Sequence, residues 1–179
     1  MAKNIKLGCV LLVDDEEAIR ESLKELLEAL GFEAYTADGV DNAIKVIGRQ
    51  KEIEAIICDL KMPGKSGIEL IRYLNSKESR IPLIFLTGFG TMETCQDALR
   101  EGAFDYILKP IEDKDKVLLP LKHAIERFNL EKQNKELQMD ILRMAEEHEE
   151  LLNSILSDIE IKSKVQEKIS AIVKKWEKK

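Results

Sequence analysis

Five side chains able to do phosphorus chemistry sit where apolar runs end. Asp14 and Asp15 close "CVLLV", Asp59 closes "AIIC", Thr87 follows "PLIFL", and Lys109 follows "YIL" directly ahead of Pro110. Were the three acids to meet, they would not all stay ionised without a cation; otherwise one pKa would rise. Oxygen donors with no histidine or cysteine among them favour a hard ion such as Mg²⁺, which takes one or two carboxylates and keeps several waters. A lysine amine and a threonine hydroxyl aimed at the same place can hold the oxygens of a phosphoryl group. A carboxylate is itself a nucleophile toward phosphorus, giving an aspartyl phosphate. Asp59, the central acid, is the expected acceptor.

For these residues to meet, the runs must be parallel strands of one sheet. Up to about residue 110 the chain alternates short apolar runs with helical periodicity. "CVLLV" reads as a strand buried on both faces, followed by a helix with Ile19, Leu23, Leu26, Leu27 and Leu30 on one stripe, stopped by Gly31. "FEAYTA" is a second strand, which brings only Thr36 and Asp38 to the same edge. A second helix follows, marked by Ala43, Ile44 and Ile47, with Asp41 as its cap. "AIIC", "PLIFL" and "YIL" are the remaining strands, alternating with helices over "GIELIRYL" and Thr91–Arg100. Strand-then-helix repetition predicts an α/β fold: a five-stranded parallel sheet, doubly wound, with ligands at the carboxyl ends of the strands.

Beyond Pro120 the texture changes, with neither Gly nor Pro to the end. Leu130, Asn134, Leu137, Ile141, Met144, His148 and Leu151 step by four and three in strict alternation, the seam of a coiled coil. Two successive steps of four, to Ile155 and Ile159, form a stutter that locally unwinds the supercoil. Lys162, Gln166, Ile169, Val173 and Trp176 resume the alternation. At 1.5 Å per residue such a helix reaches roughly 90 Å, too long to bury its stripe on one compact domain, so a partner is expected. The expected division is residues 1–128 as a phospho-acceptor domain and 129–179 as a stem continuous with its last helix. Pro120 is accommodated by starting that helix at about Lys116, with Asp113 or Asp115 as cap.

"VDDE", "ICDLKMPGKSGIEL", "LTGFG" and "GAFDYILKP" together resemble the signature segments of the response-regulator receiver domain of two-component signalling, over about residues 7–128. The resemblance implies a flavodoxin-like sheet of order 2-1-3-4-5. It implies Asp59 as phospho-acceptor, Asp15 as a direct Mg²⁺ ligand, Asp14 as a ligand or holder of metal-bound water, and the Lys61 carbonyl completing the set. Thr87 and Lys109 would contact the phosphoryl group, with a cis bond before Pro110 placing the lysine. Tyr106 matches the aromatic switch that turns inward as Thr87 moves. Lys61 and Phe89 flank access to the site and would tune the lifetime of the phosphorylated state. The donor implied is a sensor histidine kinase or a phosphotransfer protein, and the only chemistry is self-directed phosphotransfer and autodephosphorylation.

Charge and composition narrow the alternatives. Residues 1–121 hold the whole net charge of −6, while 122–179 carry 12 basic and 12 acidic residues. Neither part is the basic footprint that nucleic acid requires, so no direct DNA contact is expected. No apolar run is long enough to span a bilayer, and a cytoplasmic protein is expected. Cys9, Cys58 and Cys95 have no ligand-like spacing and read as reduced, buried thiols. His148 falls on the seam without the Pro-containing surroundings of a phosphorylated histidine, so it reads with Asn134 as a register-setting polar residue; His123 has no acid–base partner. The expected output is a homodimer through the stem and last receiver helix. Alternatives are a receiver and linker belonging to a larger hybrid kinase or effector, and an aspartyl-phosphate phosphohydrolase, whose D-x-D pattern after the first strand is missing.

Overall fold

In the computed structural model, residues 7–88 and 92–176 are described, the side chains of 92–95 and 171–176 excepted. The contacts divide the chain into two units, Met1–Glu131 and Lys132–Lys179.

The first unit follows the expected alternation: β1 (Cys9–Val13), α1 (Glu17–Ala29), β2 (Glu33–Ala37), α2 (Val40–Arg49), β3 (Ala55–Asp59), α3 (Gly67–Ser76), β4 (Leu83–Thr87), α4 (Met92–Arg100), β5 (Asp105–Leu108) and the start of α5 (Asp115–Trp176). All strand pairs are parallel, in the order β2-β1-β3-β4-β5. This is the doubly wound, flavodoxin-like arrangement.

Period-two alternation distributes the strand side chains to the two faces. Cys9, Leu11 and Val13, with Ile56, Cys58, Leu83 and Phe85, pack under residues of α2, α3 and α4. Val10 and Leu12, with Ala55, Ile57, Ile84, Leu86 and Ile107, pack under Leu23 and Leu27 of α1 and Val117, Leu121 and Ile125 of α5. Burial on both faces explains why β1, β3 and β4 read as unbroken apolar runs rather than alternating ones.

One local expectation is corrected. Asp41 does not cap α2: the cap is Gly39, and Asp41 lies in the first turn, where its carboxylate accepts from Lys65. The last helix begins at Asp115, whose backbone N–H is taken by the Asp113 carboxylate at 2.9 Å. That places Pro120 inside the helix, in its second turn, where it removes one N–H without ending the helix. Near the root of α5, Glu54 accepts from the Cys9 backbone N–H and from the Asn129 amide, both at 3.0 Å.

The second unit is helical from Lys132 to Trp176. The residues expected to form a seam, Leu137, Ile141, Met144, Leu151, Ile155 and Ile159, are 46–60% exposed in the single chain. Phe89 lies outside the described residues, as do the side chains of Cys95 and Trp176. Cys9 and Cys58 are free and buried. Among the described residues no helix is long and apolar enough to cross a membrane.

Candidate functional site

Strand register delivers the site residues. Val13 lies beside Cys58, so Asp14 emerges next to Asp59. Leu86 lies beside Asp59 and Leu108 beside Thr87, so Lys109 leaves the sheet level with the end of β4. Two backbone bonds fix those exits: Asp14 N–H to the Ala37 carbonyl at 3.2 Å, and Lys109 N–H to the Thr87 carbonyl at 2.8 Å. Positions 14, 59 and 109 continue the alternation that sends Leu12, Ile57 and Ile107 to the α1/α5 face, so their side chains converge on one side of the edge. The Lys109–Pro110 peptide is cis.

The Lys109 amine sits between two carboxylates, 2.8 Å from Asp14 Oδ2 and 3.2 Å from Asp59 Oδ1. Asp14 is wholly buried and Asp59 nearly so. Burial pushes the Asp59 carboxyl above its ordinary range, and the neighbouring Asp14 charge adds to this, against the opposing pull of Lys109 and of the Lys61 backbone N–H. Burial alone would lower Lys109, but its bond to Asp14 and the charge of Asp59 outweigh that, so its amine is held above its usual value. Asp14 Oδ1 also accepts from the Glu16 N–H at 2.9 Å, while Asp15 is exposed.

The β3–α3 turn carries its own constraint. A Cβ on Gly67 would stand 2.6 Å from the Asp59 carbonyl oxygen, 2.7 Å from Phe85 Cε1 and 3.1 Å from Cys58 Sγ. Only glycine lets α3 start this close beneath the acceptor; the Ser66 N–H then donates to Glu69 Oε2 at 2.8 Å, stabilising its first turn.

Of the sequence-predicted residues, the structure brings together Asp14, Asp59 and Lys109 by direct contact, with Thr87 buried at the end of β4. Thr36 and Asp38 go elsewhere, lining a polar groove of about 380 Å³ with Arg20, Asn42, Lys45 and Arg49. Tyr106 is 36% exposed on β5. Arg20 was not singled out by its sequence. Its guanidinium donates to the carbonyls of Asp14 and Asp15 at 2.7 and 2.9 Å. An arginine one and a half turns downstream of a loop is too common a spacing to signal this.

The donor set suits a hard cation. Among the described residues no three acid, histidine or cysteine side chains close into a ready cage. A preformed triad is not needed by an ion that takes one or two carboxylates and completes its octahedron with water. Two buried carboxylates sharing one lysine, with a third acid adjacent on the loop, offer such oxygens and no softer donor.

Comparison with known proteins agrees with this fold. The family model described as the response regulator receiver domain matches residues 10–122. A putative response regulator NtrX-like protein of Rickettsia typhi is 34% identical over 139 residues, covering 76% of this chain and 29% of its own length. The regulatory protein AtoC of Escherichia coli is 32% identical over 128 residues, covering 72% and 27%. The chain thus spans less than a third of the length of these relatives. Among solved structures, a response regulator receiver domain protein of Clostridium thermocellum is 31% identical with a TM-score of 0.64, covering 69% of this chain and 98% of that one. NtrX of Brucella abortus, in complex with ATP, is 28% identical with a TM-score of 0.67, covering 73% and 30%. The chain belongs to the response regulator receiver family.

Proposed function

We propose that the first unit accepts a phosphoryl group on Asp59 from a phosphohistidine, and that the output passes through the stem. The observation that carries this reading is the Asp14–Lys109–Asp59 cluster at the carboxyl edge of the sheet. An Asp59 carboxylate oxygen attacks phosphorus in line; the O–P bond forms as the N–P bond to the donor imidazole breaks, and the imidazole leaves with the electron pair. Lys109, already beside Asp59, follows the negative charge onto the transferred phosphoryl oxygens. Thr87 supplies a hydroxyl to one of them. Magnesium, held by Asp14, Asp15, Asp59 and the Lys61 carbonyl, would supply the remaining charge neutralisation. Hydrolysis by water returns Asp59 to the carboxylate, so the chain turns over no external substrate beyond its own phosphorylation. Tyr106, outward on β5 in this state, is the residue that turns inward on phosphorylation.

A donor surface lies beside the site. An apolar groove of about 440 Å³ is lined by Ile19 and Leu23 of α1, Leu86, Lys109, Pro110 and Ile111 among others. It suits a helix of a histidine kinase or phosphotransfer protein. On the α4–β5–α5 face, Leu99, Leu108 and Leu119 are 44–54% exposed, which supports a contact between copies there.

The stem reads as a homodimer. In heptad terms Asn134, Ile141, His148 and Ile155 take a positions and Leu130, Leu137, Met144 and Leu151 take d. Isoleucine at a with leucine at d favours two strands, and a buried asparagine at a favours matched, parallel register. The neutral charge of this segment supports an output that needs no DNA contact of its own, and a cytoplasmic location goes with it. A second reading, a receiver and linker feeding an effector, is favoured by the length of the relatives, which include a protein named as a C4-dicarboxylate transport transcriptional regulator. Incubation with acetyl phosphate and Mg²⁺, followed by intact-mass measurement, tests the central step. Wild type gains one phosphoryl mass and Asp59→Asn gains none; labelling of both would overturn the assignment.

A further inference from the structure

Arg20 stands outside the acid–lysine cluster, yet it is bonded to the backbone of both acids that end β1. It lies in the second turn of α1 and reaches back to the loop, where a single guanidinium nitrogen, NH1, donates to the Asp14 carbonyl at 2.7 Å and to the Asp15 carbonyl at 2.9 Å. The two carboxylates differ in how else they are held. Asp14 is pinned by the Glu16 N–H and by Lys109, and its own N–H is tied to Ala37. Asp15 is exposed, and among the described residues nothing bonds its carboxylate. The direction in which that carboxylate leaves the loop is therefore set by the backbone, and the Arg20 bonds hold that backbone from α1.

Resting on the reading of this edge as a cation-assisted phospho-acceptor site, we infer that Arg20 is a positioning residue: it clamps the carbonyls of Asp14 and Asp15 so that both carboxylates are presented to the divalent cation. Outer partners of this kind typically change metal affinity by about 10- to 100-fold when removed. The sign of the effect separates this role from a purely electrostatic one. As a positive charge near the site, Arg20 repels a cation, so deleting it would tighten binding if charge were its only contribution. As a clamp, deleting it loosens the loop and weakens binding. Because both bonds come from one nitrogen, a lysine amine with three donors can reproduce them.

The test is Mg²⁺ affinity, measured by calorimetry and by amide chemical-shift titration on the full chain, for wild type, Arg20→Met and Arg20→Lys. The clamp predicts a dissociation constant raised roughly 10-fold or more in Arg20→Met and largely restored in Arg20→Lys. Cation-free amide spectra should be unchanged outside the β1–α1 loop. Unchanged or tighter binding in Arg20→Met overturns the role of Arg20 while leaving the phospho-acceptor reading intact. Failure of the wild type to bind Mg²⁺ overturns both. Should the methionine variant not fold, Arg20→Gln carries the same comparison, since its shorter amide cannot make both bonds.

Discussion

Replacing Lys109 by methionine keeps most of the aliphatic stem and removes the amine that separates Asp14 from Asp59. The Asp14 side chain is 0% exposed, that of Asp59 11% and that of Lys109 20%, with contacts of 2.8 and 3.2 Å. These are buried charges, and removing one partner leaves two carboxylates facing each other in a poorly solvated edge. Breaking a buried pair costs about 3–5 kcal/mol. Because the site opens partly to water, the low end applies, and a loss of about 3 kcal/mol is expected for the first unit. Urea denaturation in EDTA at neutral pH, followed by a probe in the sheet, measures it. Two controls follow from the same physics. The loss should shrink as pH falls and one carboxylate takes a proton, and Mg²⁺ should restore stability by replacing the missing positive charge. A loss below about 1 kcal/mol, the scale of an exposed ion pair, would refute the claim that this lysine balances two buried acids.

Other consequences can be checked alongside. Gly67→Ala places a methyl against the Asp59 carbonyl, Phe85 and Cys58, and is expected to cost about 1–3 kcal/mol in the same denaturation assay. Asp59→Asn in EDTA should be more stable than wild type at neutral pH, because burial holds the wild-type carboxyl above its ordinary range. A raised acid pKa makes the ionised form unfavourable in the fold. The wild-type deficit should therefore close as pH falls through that raised pKa toward the ordinary value of 3.8; a difference that does not change with pH contradicts this. In the stem, Ile141→Lys with Leu151→Lys puts like charges in the proposed seam, where burying each apolar side chain would contribute about 1.5–3 kcal/mol. Sedimentation should show wild type as the proposed dimer and the variant as a monomer that still accepts phosphate on Asp59; a monomeric wild type contradicts the dimer.

The sheet was legible because its central strands are buried on both faces, and such strands announce themselves as apolar runs bounded by turns. Two of their ends were legible as well: Asp59 and Thr87, which follow "AIIC" and "PLIFL", are the last residues of β3 and β4, since the hydrogen-bond ladder continues through them whatever the polarity of their side chains. The Asp14–Lys109 contact joins residues 95 apart and was legible only because a parallel sheet forces strand ends together. Contacts with no such rule were not. The Glu54 bridge to Cys9 and Asn129 spans 45 and 75 residues and leaves no periodic trace. Arg20 acts on carbonyls, which every residue has, so side-chain types could not mark it. Asp41 failed as a cap because Gly39 already occupied that place, and Pro120 was absorbed because a second-turn proline costs a single backbone bond. The long last helix was readable, since helical periodicity without Gly or Pro after Pro120 depends on nothing beyond the helix itself.

The central claim is that the carboxylate of Asp59, and no other group, takes the phosphoryl. Borohydride reduces an acyl phosphate to an alcohol and so marks the residue that carried it. After phosphorylation with acetyl phosphate and Mg²⁺, reduction and peptide mapping should place the mark at position 59 alone, and omission of Mg²⁺ should abolish it. A mark on Asp14 or Asp15, or phosphate retained on His148, would contradict the account.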